Sequence, residues 1–506
     1  MKKTTLAIGI VAVLGVAYVG IAWQTGNIIE NNIDNQLAQI TAKINEFQDD
    51  FTVSVMKSNY EKNIFSTKLH LTVTVSPQNT LDENAKPKTL FDDDITIHHG
   101  PFPIAALAKG TLAPQKAWLE YEMTEQSNPT LWKLAGNQPF IAGHIGISYG
   151  EYITLKLANK AIQVTQSEIP TIDNGLLNVS NGSYTFSGYA DATDVKAKVQ
   201  LDKLDYISDD NNYSLKDVNV SLKPLNTLED FEYQFNIGHA KYTLDGITKS
   251  TVNIDNFQSK GNFNYKNQNG DTQSSVDKLA FTFATASFSK VQSVVINNMI
   301  VNQKSTLNNA NTVDGSLFSS IDSILWGQQN LGKVSLDFNF QGADKDLFSD
   351  QFSLEDFDEI IDSSRPVHTK FSLNKFNWHN AAGDINFNFV MDVKDIGKDA
   401  LENNNNNVDK IDRLKLQLSA PFDVLGRISA QIEHPNTDNV TPEQINKASS
   451  NLVMMSKMFL YNSPIVNFSK DGKQGIFTDI EYSRALDNVK VNDKTMTKKA
   501  FLNSLQ

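Results

Sequence analysis

Two short runs of this chain hold residue types in an order that chemistry would need. Gly146-Ile147-Ser148-Tyr149-Gly150 matches the G-x-S-x-G pattern of a nucleophilic serine. That elbow works where a strand turns sharply into a helix, which exposes the hydroxyl beside an oxyanion hole. Here Tyr152-Ile153-Thr154-Leu155-Lys156-Leu157 follows and alternates as a strand does, so Ser148 is expected at a strand edge. The second run is Asp92-Asp93-Asp94-Ile95-Thr96-Ile97-His98-His99. On a strand, Asp94, Thr96 and His98 share one face and His99 points to the other. The two imidazoles then do not chelate one ion together, and a zinc site wants three or four ligands. The expected role of His99-Gly100-Pro101-Phe102-Pro103 is structural. It turns a strand into a short helix, with the two prolines fixing the direction and Phe102 as an anchor.

The other histidines (His70, His144, His239, His368, His379, His434) are scattered, without an H-E-x-x-H pair. No Walker loop, dinucleotide fingerprint or EF-hand loop is present in the sequence. Acidic pairs such as Asp209-Asp210 fall in polar loops. No catalytic residue, cofactor or metal ligand is therefore assigned. Among 506 residues there is no cysteine, which removes disulfides, thiolate metal sites and cysteine nucleophiles together. A formal charge of -13 argues against nucleic acid and against a polybasic membrane footprint.

The elements that must position any site begin at the N-terminus. Met1-Lys2-Lys3 precedes Thr4 to Gly26, a stretch without charge, and the next charge is Glu30. About 20 residues at ~1.5 Å each span roughly 30 Å, the thickness of a bilayer's hydrocarbon core. With both lysines ahead of it, residues 1–3 are expected in the cytoplasm and the bulk of the chain on the far side of a bacterial inner membrane, in the periplasm. The run is longer than a signal peptide's apolar core, and the one tolerable cleavage site is Gly20-Ile21-Ala22. An uncleaved anchor over 4–26 is the favoured reading and a cleaved signal the alternative. Ile33, Leu37, Ile40, Ile44, Phe47 and Phe51 then recur at helical spacing. They predict an amphipathic stalk over 27–50 that lays its stripe on the following domain, or pairs with a second copy as a short coiled coil.

From Phe51 the dominant period is two. Leu69-Leu71-Val73-Val75, Val334-Leu336-Phe338-Phe340, Ile385-Phe387-Phe389-Met391-Val393 and Leu414-Leu416-Leu418 alternate with polar residues. Each reads as a strand with one apolar face. Asn181-Gly182, Asp245-Gly246, Asn269-Gly270 and Asp471-Gly472 supply turns. The fold class is mainly β with a few helices, an elongated antiparallel sheet behind a single-pass helix. Thr441-Pro442-Glu443-Gln444 opens a helix through a capping box, its apolar face running from Ile445 to Phe459. Shorter helices are expected at Ile104 to Lys109, Ser316 to Trp326 and Lys345 to Ile361. The strand-poor texture of 300–330 suggests two β-rich units, 51–300 and 301–506.

Several of these runs together resemble one family. The anchor followed by Trp23-Gln24-Thr25-Gly26, then Tyr60-Glu61-Lys62-Asn63-Ile64-Phe65-Ser66-Thr67, then His99-Gly100-Pro101-Phe102-Pro103, are similar to the YdgA-like family of bacterial inner-membrane proteins. The ending Val489-Lys490-Val491-Asn492-Asp493-Lys494 sits where that family has a short strand and a tight turn. The resemblance implies a large periplasmic β-rich region, no established enzymatic activity and no catalytic residues to carry over. It also implies a loose kinship with AsmA-like proteins, some of which are thought to carry phospholipid in a β-lined groove.

Three functions follow as expectations. The first is an AsmA-like groove that handles lipid or another amphiphile, with Leu69, Leu71, Val73, Phe338 and Phe387 as candidate lining. For any single one of these, an ordinary buried core position is the favoured reading. The second is an envelope scaffold that binds other proteins and carries no ligand. An enzyme is the least favoured.

Overall fold

Side chains that alternate at a period of two leave one dry face per strand, and such strands close their backbone hydrogen bonds only against neighbours. In a computed structural model of the protein that pairing is antiparallel throughout the registers described. The structure describes Leu37, Ala38, Thr41, Ala42 and Asn45, and residues 51–503 apart from the connections 64–65, 78–86, 100–101, 169–174, 190–192, 210, 226–229, 246–248, 265–268, 284–291, 309–311, 345–367, 395–410 and 461–462. The chain divides into two units, Met1–Asn226 and Thr227–Gln506.

In the first unit β1 (Phe51–Lys62), β2 (Ser66–Pro77), β3 (Lys88–His99), β4 (Gln115–Glu122), β5 (Ile141–Ser148) and β6 (Tyr152–Asn159) pair in chain order. After a hairpin of β7 (Ile162–Thr165) and β8 (Leu176–Val179), β6 continues to β9 (Gly182–Tyr189). Then β9 pairs with β10 (Lys196–Ile207), and β10 with β11 (Asn211–Pro224). Helix α1 (Ile104–Ala108) joins β3 to β4, and α2 (Pro129–Leu134), capped by Asn128, joins β4 to β5. One face is closed. Val53, Leu69, Leu71, Val73, Ile95, Ile97, Leu119, Ile145 and Leu155 form a single cluster that also takes in Leu37. The described residues between 37 and 45 are helical. Asn45 pins that helix to β1, because Val53 N donates to Asn45 Oδ1 at 2.8 Å and Asn45 Nδ2 donates to Val53 O at 3.1 Å. Of the stripe expected over 27–50, Leu37 packs in this cluster, while Ile33, Ile40, Ile44 and Phe47 lie outside the described residues.

The second unit runs β12 (Asp230–Asp245), β13 (Lys249–Asn264), β14 (Gly270–Phe283), β15 (Gln292–Leu307), β16 (Thr312–Trp326), β17 (Gln329–Asp344), β18 (His368–Asn380), β19 (Gly383–Lys394) and β20 (Ile411–Pro421), each paired with the next. Helices α3 (Phe422–Glu433) and α4 (Pro442–Leu460) follow. The sheet then resumes as β21 (Asn467–Lys470), β22 (Lys473–Ser483), β23 (Asn488–Val491) and β24 (Lys494–Thr497), with β22 on β20, ahead of α5 (Lys498–Asn503). Asp471 and Gly472 both take positive φ, 52° and 76°, as a type I′ hairpin requires. The capping box of α4 is present: Gln444 N donates to Thr441 Oγ1 at 3.2 Å and Thr441 N to Gln444 Oε1 at 2.8 Å. The chain end also forms as expected, with Val489 and Val491 fully buried on β23.

Three expectations change. The boundary lies at 226/227, and residue 300 falls in the middle of β15, paired on both sides. Ser316–Trp326 is strand β16, not helix. Leu317, Ile321 and Ile324 carry helix-like spacing because the register slips between Ile321 and Ile324, and that irregularity breaks the alternation. Helix α3, which begins directly after Pro421, has no counterpart among the expected helices. The anchor at 4–26 and the helix expected over Lys345 to Ile361 lie outside the described residues. Among the described residues no helix is long and apolar enough to cross a membrane.

Candidate functional site

Ser148 ends β5, and its hydroxyl accepts from Tyr152 N at 3.0 Å while its carbonyl accepts from Glu151 N at 3.0 Å. It closes the hairpin to β6, with a strand and not a helix beyond it. The turn box is placed as expected at its two ends: His99 closes β3, and Pro103 is buried at the start of α1. Gly100 and Pro101 lie outside the described residues. Phe102, expected as the anchor, is instead 53% exposed. Pro103 and Ala106 fill the inward side in its place.

Asp94 meets His70, not His98. The β2–β3 register sets His70 directly opposite Asp94. His70 Nδ1 lies 2.8 Å from Asp94 Oδ1 and Nε2 lies 3.0 Å from Asp92 Oδ1, while Thr72 Oγ1 donates to the same Asp92 oxygen at 2.8 Å. The hydrogen bond to Asp94 first, and that to Asp92 second, raise the His70 imidazole above its ordinary value. Thr72 and then His70 hold Asp92 below the usual carboxylate range. Linear sequence hid this cluster, since 22 and 24 residues separate the partners. Among the described residues no group of three or more His, Asp or Glu is arranged to hold a metal ion.

Two apolar features are large enough to receive a ligand. The first is a cavity of about 400 Å³ in the first unit, walled by Phe91, Ile95, Leu119, Tyr121, Ile145 and Leu155. Burial, and then the charge of Asp93, push the Tyr121 phenol up, so it stays a donor. Asp93 is itself buried and is held by Thr124, whose Oγ1 is 3.3 Å away. Leu69, Leu71 and Val73 do not line this cavity. They are 2%, 0% and 1% exposed, buried in the same cluster whose Ile95, Leu119, Ile145 and Leu155 wall the cavity.

The second feature is the apolar face of the second unit. Registers place Leu317, Phe338, Leu373, Phe389 and Leu416 successively opposite one another from β16 to β20. A parallel row joins Leu336, Phe376, Phe387 and Leu418 across β17 to β20. A third joins Phe340, Phe371, Met391 and Leu414. Phe338 and Phe387 therefore belong to neighbouring rows of one face. Almost every member is half-buried rather than sealed, Leu373 excepted. The aromatic rings pair along the face, Phe338 stacking on Phe371 at a centroid distance of 6.4 Å and Phe387 against Phe389 at 5.8 Å. Gly315 opposes Phe340, and a Cβ there would come within 2.3 Å of the ring, so the missing side chain is what lets the ring lie on β16. Helix α3 covers one end, where Val424 and Ile428 pack with Phe376, Trp378 and Leu418. Trp378 Nε1 donates to Leu331 O at 2.8 Å and Gln431 Nε2 to Asn330 O at 2.9 Å, which fixes that end. Of the five expected lining residues, the structure thus places Phe338 and Phe387 on one face of the second unit and buries Leu69, Leu71 and Val73 in the core of the first.

The chain is similar to two curated proteins of Escherichia coli (strain K12). One is Protein YdgA, 23% identical over 503 residues, which cover 91% of this chain and 89% of that one. The other is Uncharacterized protein YihF, 20% identical over 476 residues, covering 90% of each. No solved structure matches. The family model described as Bacterial protein of unknown function (DUF945) matches residues 1–350, and the chain belongs to that family.

Proposed function

We propose that this protein is anchored in the bacterial inner membrane by residues 4–26, lies for the most part in the periplasm, and handles lipid or another amphiphile along its sheet without chemistry of its own. The observation that carries this reading is the set of three rows on β16–β20. A closed core seals its residues, as Leu71 and Ile97 are sealed in the first unit. The rows of the second unit hold aromatic and aliphatic side chains in register yet leave them half-buried. Apolar surface left partly wet is stabilised by any ligand that covers it.

One observation favours a second reading, a scaffold for other envelope proteins. Met454, Met455, Met458 and Phe459 crowd the last turns of α4 and are all exposed. Methionine-rich helix surfaces adapt to protein partners.

Photo-crosslinking in cells separates the two. A benzophenone amino acid in place of Phe338 or Phe387 is expected to form lipid adducts, whereas one in place of Leu71 forms none. Protein adducts at Phe338 and Phe387 would favour the scaffold. Adducts only within the chain would make the face an ordinary core and end the groove reading.

A further inference from the structure

The residues around α1 reverse the usual logic of burial. The small Ala106 and Pro103 point inward and are buried, while Phe102, Ile104, Leu107 and Leu112 point outward. Ile104 and Leu112 are the extremes, 84% and 77% exposed. Gly110, at φ +81°, closes the tip and has nothing within 4 Å of where a Cβ would lie. Strand pairing brings a further exposed aromatic to the same end of the sheet. Gln115 opposes Ser148, and Lys116 Nζ lies 3.2 Å from Glu151 Oε1, so the turn that bears the exposed Tyr149 sits at the start of β4.

Charge is as uneven as hydrophobicity. From His99 to Lys116 there is no Asp or Glu, although the chain has 58 of them and a net charge of -13. The same span holds Lys109, which is exposed, and Lys116. Lys116 is paired with Glu151, which leaves Lys109 as the exposed lysine of the span. An outward apolar tip with an aromatic and an exposed lysine beside it is the composition of a surface that sits at a lipid interface. Chain length supports the same occupant. Ten residues lie between Gly26 and Leu37, a reach of at most about 40 Å over the eleven Cα steps. Tethering at that distance keeps the first unit at high effective concentration over the bilayer.

We propose that the loop from Phe102 to Leu112, with Tyr149, is a second membrane contact, inserted into the interface of the bilayer that holds the anchor. This rests on the anchor reading above. It accounts for a phenylalanine set between two prolines in the sequence and yet 53% exposed.

Because the chain has no cysteine, one introduced by Ile104→Cys is unique and can carry an environment-sensitive nitrobenzoxadiazole probe. Lys198→Cys, on the exposed side of β10, is the control. Full-length protein is reconstituted into phosphatidylethanolamine–phosphatidylglycerol vesicles, with and without nitroxide-labelled acyl chains, and floated after an alkaline wash. The expected result is co-flotation, with the probe at position 104 blue-shifted and losing most of its emission to the nitroxide while the probe at 198 loses none. Adding Lys109→Glu should lower that quenching. A chain that co-floats with an unquenched, solvent-like probe at 104 overturns the loop contact and leaves the anchor standing. A blue-shifted but unquenched probe overturns it too, since the patch is then covered by protein, either the chain's own N-terminal segment or a second copy. A chain that fails to co-float overturns the anchor reading, and the loop is then judged by quenching on added vesicles, where its absence overturns the loop as well.

Discussion

His70 ties β2 to β3 through two carboxylates, and its titration is a local probe of that hairpin. Its imidazole is raised by Asp94 and Asp92, so the folded state binds the proton more tightly than the unfolded chain does. The stabilisation is fully present below the unfolded value of about 6.5 and is lost as pH rises through the higher folded value. The pair is solvent-exposed, so its worth stays within about 1 kcal/mol. His70→Gln is expected to lower the urea midpoint at about pH 5.5 and to lower it less at about pH 9. Equal midpoint losses at both values would show that His70 acts through packing alone. The same cluster marks a limit of reading along the chain. His70 and the Asp92-Asp94 run were each visible, yet only the β2–β3 register puts His70 and not His98 beside Asp94.

At the scale of elements, the second unit depends on how α3 and α4 hold its sheet. Gly426 on α3 faces Ser449 on α4, where a Cβ would lie 1.9 Å from Ser449 Oγ and 2.9 Å from its Cα. The second contact is to backbone, so the helices must separate to admit even a methyl group. Gly426→Val is expected to cost about 1–3 kcal/mol, as overpacking does, and to speed amide exchange at Val424 and Ile428. A Gly426→Val protein with unchanged exchange there would mean that the helix pair has slack. How legible each element was follows from its physics. The capping box at Thr441 and the I′ turn at Asp471-Gly472 are local devices and could be read directly. Strand β16 was misread because its register slip spaces Leu317, Ile321 and Ile324 as a helix would. Phe102 was misread because two flanking prolines fix a backbone without saying which way its side chain faces.

At the scale of the whole molecule, the two units treat the same strand pattern differently. In the first, the sheet closes over Leu37 and seals Leu69, Leu71 and Val73. In the second, the five consecutive strands β16 to β20 carry rows that stay half-buried, with α3 over one end. Alternation alone cannot separate these outcomes, since it records which face is apolar and not what covers it; Leu71 and Phe387 look alike in sequence. Substitution should tell them apart. Leu71→Ala leaves a cavity in a closed core and is expected to cost about 2–5 kcal/mol. Phe387→Ala removes a ring that is already partly solvated, and its cost should fall to about 1–2 kcal/mol, below the ~3–5 typical of a sealed phenylalanine. The division at 226/227 adds a second readout, because separate units need not unfold together. Differential scanning calorimetry of the full chain is expected to show the Leu71→Ala loss in a transition that Phe387→Ala leaves unmoved. If the second unit's face carries an amphiphile, Phe387→Asp should abolish lipid crosslinking from a benzophenone at position 338 while sparing the first unit's transition. Should Phe387→Ala instead cost as much as Leu71→Ala, the face is a sealed core and the protein's working surface must be sought at α4 and the α1 loop.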